Sequence, residues 1–265
     1  MTSHQERSRP RVSCALIAGW VLLVTPAIIH AQRGGGQPEA AASPRAAAPI
    51  DLAGYWVAIV SEDWRWRMGV GLKGDYGYLT LNAEGRKAAD AWDPAKDEAA
   101  GEQCRSYGAV GVMRQPTRLH ITWQDDQTLR VDADAGTQTR VLNFRGEAPQ
   151  GQEAAWQGYS VARWELEGPR PQRGQPQSAP RAGQLRVVTT QLRPGYFYKH
   201  GVPYSGRAVL TEYFQVVPGL QGEQYLNATA MVDDPQYWAQ PFVRTVHFRR
   251  EPDGSKWSPT PCSSR

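Results

Sequence analysis

The sequence predicts an all-β protein, a single antiparallel barrel of about eight to ten strands with a small helical insertion. Short runs of period-two alternation recur from residue 53 to residue 249, as where Leu119, Ile121 and Trp123 share one face of 118–124. Turns such as Asp125-Asp126 and Ala135-Gly136 separate them, the spacing of consecutive hairpins. A meander of that many strands must remove its edges, and closure does so completely, which places a barrel ahead of a two-sheet sandwich. No internal repeat of useful length is visible, so a propeller is not expected.

Taken in order, residues 1–31 read as a signal peptide: Arg7, Arg9 and Arg11 precede the apolar run Val12 to Ile29, and Ala31 supplies a small residue for cleavage. Pro26 and the absence of a positive stop argue against a retained anchor, so no membrane insertion is expected after cleavage. Residues 32–49, rich in Gly, Ala and Pro, read as a flexible linker. Gly34, Gly35 and Gly36 have neither a preceding strand nor a following Lys-Ser/Thr, which excludes a phosphate loop. The folded domain is expected over 50–265, with its first strand at about 53–60 and a short strand at Tyr78 to Leu81. Asn82 can cap a helix starting at Ala83, and Asp93-Pro94 can start a second, which gives a helical insertion near 82–103. Strands follow at 118–124, 129–132, 137–144 and 156–164. A Pro/Gln/Arg-rich stretch near 166–183 reads as a disordered loop, and four further strands lie at 185–192, 209–217, 225–232 and 242–249.

The chain has 265 residues and 40% hydrophobic content, enough for one sizeable core. Its aromatic choice is unusual, ten Trp and eleven Tyr against five Phe. Such rings suit walls that meet both apolar and polar groups. The net charge is +4, and removing the leader's three arginines and Glu6 leaves +2. A balance that close to neutral gives no electrostatic case for a nucleic-acid partner or an anionic membrane. Export, to the periplasm or beyond the cell, also decides the cysteine arithmetic. Cys14 leaves with the leader, so Cys104 and Cys262 form an even pair in an oxidising compartment and read as a disulfide.

The start of the first strand, Gly54-Tyr55-Trp56, resembles the first motif of the lipocalins and the wider calycin superfamily. The resemblance implies that Trp56 plugs the closed end of the barrel under an arginine from a late strand, Arg244 or Arg249. Thr211-Glu212-Tyr213 is a weak echo of that family's Thr-Asp-Tyr motif, and a tail-to-body disulfide is also similar to lipocalins. The Trp64-Arg65-Trp66 and Asp234-Pro235-Gln236-Tyr237 stretches are similar to those of exported bacterial proteins to which no activity is attached.

Two stretches carry candidate ligand contacts. Trp64, Arg65, Trp66 and Arg67 follow the first strand, where a barrel's first long loop crosses its mouth. Indole faces alternating with guanidinium groups suit a molecule with an apolar body and a polar or anionic head, although the same residues also suit a packed rim with solvated arginines. Tyr196, Tyr198, His200 and Tyr204, among Gly195, Gly201 and Pro203, form a long aromatic loop whose length favours a second lid over a stiff connection.

Candidate catalytic groups are Glu212, His120 and His247. Glu212 shares a face with Leu210 and Phe214, where a carboxylate is costly unless paired; pairing with Arg244 is its structural alternative. His120 and His247 sit on strand faces opposite the apolar residues, so they act only if the barrel is polar inside. No H-x-H or H-E-x-x-H spacing is present, and neither a metal nor a cofactor is expected. The functional expectation is therefore an exported binding protein for a small lipophilic molecule with a polar head. Its alternatives are a barrel isomerase, cyclase or hydrolase of a hydrophobic substrate, and a non-catalytic envelope interaction module docking through the 82–103 helices.

Overall fold

A computed structural model describes residues 42–61, 64–68, 71–77, 79–168 and 182–264. The signal-peptide reading, the first part of the linker and most of the 166–183 loop fall outside the described residues. No helix among the described residues is long and apolar enough to cross a membrane.

Nine strands close into a barrel in the order β1-β11-β10-β9-β6-β5-β4-β3-β2. They are β1 Gly54–Ile59, β2 Arg118–Asp125, β3 Thr128–Ala133, β4 Gln138–Asn143, β5 Tyr159–Leu166, β6 Gly183–Thr190, β9 Val209–Pro218, β10 Gln224–Asp233 and β11 Phe242–Glu251. Strands β7 Gly195–Tyr198 and β8 Val202–Tyr204 form a separate hairpin. The barrel is not wholly antiparallel. An odd number of strands cannot alternate direction around a closed ring, and the mismatch falls at β4 and β5, which run parallel through Leu142–Ser160 and Asn143–Val161. The 144–158 connection carries the chain back along the barrel to make this possible.

Alternation fills the barrel as the sequence pattern requires. Leu119 and Ile121 of β2, Leu129 and Val131 of β3, Leu185 and Val187 of β6, Phe214 of β9, Leu226 of β10 and Phe248 of β11 belong to one buried cluster with Trp56. The interior is packed with side chains rather than hollow.

The two ends differ. At the end where β1 begins, Trp56 is fully buried and its Nε1 donates to Leu52 O at 2.9 Å. The guanidinium over its ring, 4.9 Å from the centroid, belongs to Arg250 and not to Arg244 or Arg249. Register explains the correction: Trp56 pairs directly with Arg250 on β11, whereas Arg249 faces outward and Arg244 lies near the other end. Trp123, Phe144 and Trp164 continue the aromatic plug with ring centroids 5.6 and 5.5 Å apart. Residues 42–49, expected in the flexible linker, instead form a turn against this end, where Pro44 O accepts from Trp164 Nε1 and Asp126 O accepts from Arg45 N.

The opposite end carries the insertion. Helices α1 Trp64–Arg67, α2 Ala83–Asp90, α3 Pro94–Ala99 and α4 Ala109–Val112 lie between β1 and β2. Asn82 caps α2 through Gly85 N and Asp93 caps α3 through Ala95 N, as their sequences predict. The expected strand at 78–81 is not formed over its described residues; Leu81 makes only an isolated bridge to Trp238. Helix α4 and the β7–β8 hairpin share a second core with Leu210, Val232, Trp238 and Phe242, and together they cap the barrel.

After β11 the chain turns back as a strap along the outside of the barrel. Trp257 lies beside Tyr55, Thr260 bonds Asp134 and Thr137, and Cys262 is disulfide-bonded to Cys104. This crosslink spans 158 residues of sequence, so its removal releases a long loop in the unfolded chain. A Cys104→Ala/Cys262→Ala variant is expected to lose about 2–4 kcal/mol of stability, measured by urea unfolding against wild type.

Candidate functional site

Apolar and charged side chains meet where the cap covers the barrel. A small cavity of about 20 Å³ lies between α4, β7 and the inner wall. Its apolar lining includes Val110, Met113, Phe197, Phe242 and Val246, and its charged lining is Glu212, Arg114 and Arg244. Such a space holds roughly one water molecule.

Each charged group is positioned by the strand pattern or by close cap packing. Glu212 lies between Leu210 and Phe214 on the inward face of β9, and Arg140 occupies the inward face of β4 next to Leu142. Across the interior they form a bidentate pair, Arg140 Nη1 to Glu212 Oε1 at 3.0 Å and Nη2 to Oε2 at 2.5 Å, with both side chains at most 3% exposed. The Thr189 hydroxyl lies 3.5 Å from Arg140 Nη2 and 2.8 Å from the Ser160 hydroxyl, which extends the polar layer across β6 and β5. Arg114 donates to the Tyr198 hydroxyl at 2.7 Å and lies 4.8 and 4.5 Å from the Phe197 and Tyr198 ring centroids. Its carbonyl accepts from Arg67 Nε at 3.1 Å, tying α1 to the cap. The close packing needs glycine: a Cβ at Gly108 or Gly195 would lie 2.4 or 2.5 Å from the Tyr204 hydroxyl.

The residues expected at a ligand mouth fall into different settings. Trp64 is 67% exposed, and Arg65 forms an ion pair with Asp75. Only the backbone of Trp66 is described, within α1. Arg67 is buried and donates to Ile59 O at 2.6 Å, so it serves the cap rather than the surface. The 195–204 segment is a hairpin instead of an open loop. Tyr196 donates to Asp97 Oδ2 at 2.9 Å beneath the Arg105 guanidinium, and Tyr198, His200 and Tyr204 are all buried. Burial pushes the Tyr204 hydroxyl's pKa up, and Tyr196 is shifted the same way, chiefly by desolvation.

His200 has its Nε2 3.1 Å from Asp75 O, and desolvation lowers its pKa below the usual imidazole value. The unfolded chain then binds this proton more readily than the folded one, so stability contributed above about pH 6.5 is lost as pH falls toward the folded-state value. A His200→Gln variant is expected to show a flatter stability profile as pH falls below about 6.5, read from urea midpoints.

The three catalytic candidates are not brought together. Glu212 faces the interior, whereas His120 stacks on Tyr55 outside the barrel and His247 lies on the outward face of β11, opposite Val246 and Phe248. Glu212 is paired by Arg140, not by Arg244, although Arg244 lines the same cavity. Sequence reasoning passed over Arg140, Arg114 and Phe197. For Arg140 the signal was present, a base alternating with Leu142 in a strand; for Arg114, in a short glycine-rich helical segment, it was not. Among the described residues no three His, Cys, Asp or Glu side chains are grouped to hold a metal ion.

Fold and site together define a closed β-barrel, plugged by Trp56 at one end and capped at the other over a charged internal cavity. No protein-family model matches the chain, no curated protein matches it, and no solved structure matches it.

Proposed function

We propose that this chain is an exported, lipocalin-like barrel that binds a small lipophilic molecule with a polar head group, in the periplasm or outside the cell. The observation that carries the reading is the meeting of Phe197, Phe242, Val246 and Met113 with Arg114 and Arg244 under the cap. Apolar walls with a few convergent polar groups are what small-molecule sites are made of. Trp56 under Arg250 supports the lipocalin likeness, and the Cys104–Cys262 disulfide supports an oxidising compartment. The closed cavity has room for roughly one water molecule, so this reading requires α4 and the β7–β8 hairpin to lift from the rim when a ligand enters.

Native mass spectrometry of protein taken from the cell envelope tests this directly, with a co-purifying small molecule as the expected result. Tryptophan fluorescence unchanged across lipids, terpenoids and aromatics, together with no adduct, would sink it. An isomerase, cyclase or hydrolase on this barrel would need Glu212 to meet a second acid or base within the cavity.

The filled interior also favours a second reading, a non-catalytic envelope module. The 82–103 helices present no large exposed apolar side chain, so docking would fall on Trp64, Met68 and Leu72, which are 67%, 60% and 78% exposed. Envelope crosslinking from position 68 to one partner, lost in Trp64→Ala, is the expected result under that reading.

A further inference from the structure

The outer wall of the barrel carries a second cleft, remote in kind from the capped cavity. Outward positions of four neighbouring strands fall in one register row: Tyr55 of β1 opposite His120 of β2, His120 opposite Asp132 of β3, and Asp132 opposite Thr139 of β4. The C-terminal strap lays Trp257 and Pro259 beside that row and encloses a cleft of about 270 Å³.

One half of the row is aromatic. The Tyr55 and His120 rings stack at 4.1 Å with an interplanar angle of 3°, and Trp257 stands edge-on at 6.1 and 6.2 Å. Outward faces of barrel strands are ordinarily solvated and polar, so three rings gathered there form an apolar cluster with polar edges, in which Tyr55 and His120 cover one face of each other and Trp257 stands beside the pair. The other half is a fixed polar rim. Arg130 binds both Asp132 oxygens at 2.8 Å, and the Thr139 hydroxyl donates to Asp132 Oδ1 at 2.5 Å.

The chemistry of that pairing selects its ligand. An anion would meet the Asp132 carboxylate, and a cation would meet the Arg130 guanidinium. A hydrocarbon chain would desolvate this ion pair and leave the Arg130 Nη1 donors and the spare lone pairs of Asp132 without water. A sugar ring fits both halves, because its C–H face packs on aromatic rings while vicinal hydroxyls bridge a donor and an acceptor at its edge. The cleft lies just below the roughly 300–1,000 Å³ of sites for drug-sized ligands, which suits one ring with the rest of a glycan in solvent.

We propose that this cleft is a binding site for a neutral sugar ring, packed against the aromatic cluster of Tyr55, His120 and Trp257 and hydrogen-bonded by the Arg130–Asp132 pair and Thr139. The strap makes the site conditional on the disulfide. Trp257 and Pro259 are held by the anchor of Cys262 to Cys104 and by the bonds of Thr260 to Asp134 and Thr137. Reduction frees the strap and removes one wall.

The test is NMR titration of the full chain with cellobiose, maltose and N,N′-diacetylchitobiose, following indole and backbone amide resonances. At least one disaccharide is expected to shift the Trp257 indole and the His120 and Asp132 amides saturably. Asp132→Asn and Trp257→Ala, both on the outer surface, are expected to weaken that binding by about tenfold or more while leaving the remaining spectrum in place. Reduction by dithiothreitol is expected to act in the same direction. Absence of a saturable shift for all three sugars overturns the proposal. So does a shift that maps elsewhere, or binding that both variants leave unchanged.

Discussion

Replacing Trp56 by alanine is expected to lower the unfolding free energy by about 3–5 kcal/mol, the range for removing a fully buried large aromatic. Three terms act together at this residue. The indole is 0% exposed at the centre of the plug, its Nε1 satisfies Leu52 O at 2.9 Å, and the Arg250 guanidinium covers its face at 4.9 Å. Arg250 in turn ties down the incoming chain through Asp51 at 2.8 Å and through Ala53 O. Trp56→Phe keeps most of the bulk but leaves the Leu52 carbonyl without its donor, and should cost about 1–3 kcal/mol. Arg250→Ala should cost less than Trp56→Ala, because the arginine is partly solvated. A double-mutant cycle should return a coupling of about 0.5–2 kcal/mol between the two. Gly54→Ala should cost more than about 1 kcal/mol, since its φ of +124° suits glycine and a Cβ there would lie 3.3 Å from Arg250 Nη2. Urea unfolding of this series checks each value. A Trp56→Ala loss below about 1 kcal/mol, outside the range for such a site, would mean that the plug is not part of the cooperative core.

That plug also shows where the sequence is legible and where it stops. The strands were readable because each buries one face, and period-two alternation is the direct imprint of that burial. Partner direction leaves no such imprint, so the parallel β4–β5 pair was not foreseeable from the pattern. The same gap misplaced the arginine over Trp56. Alternation puts Arg244 and Arg250 on one face of β11 and Arg249 on the other, and only the cross-strand register selects Arg250. The cap was harder still. Glycine and proline at 195, 201 and 203 break the alternation of β7 and β8, and the tyrosines turn inward because α4 packs over them. A loop reading of that stretch misses a hairpin whose Tyr198, His200 and Tyr204 are buried. Alternation places Glu212 as a carboxylate on an apolar face, but its partner comes from β4, far away in sequence and across the barrel interior.

Glu212→Gln is expected to cost about 3–5 kcal/mol, because it leaves the Arg140 guanidinium charged and uncompensated in a packed interior. Glutamine can still accept one hydrogen bond, but it cannot neutralise a cation whose side chain is 3% exposed. Arg140 Nε already lacks a hydrogen-bond partner among the described residues, so the pair with Glu212 carries nearly all of that group's compensation. Arg140→Met should be equally costly for the converse reason, as it strands the carboxylate. The double variant Arg140→Met/Glu212→Leu removes both charges and roughly keeps the volume, and is expected to fall within about 1–2 kcal/mol of wild type on either side. The cycle therefore separates two accounts of the layer formed with Thr189 and Ser160. Rescue by the double variant means that the ion pair is tolerated rather than required for stability, and its place beside Arg244 under the cap then calls for a role in what the cavity accepts. A double variant as unstable as either single one would instead make the pair a strut of the barrel, with the Thr189 and Ser160 hydroxyls depending on it.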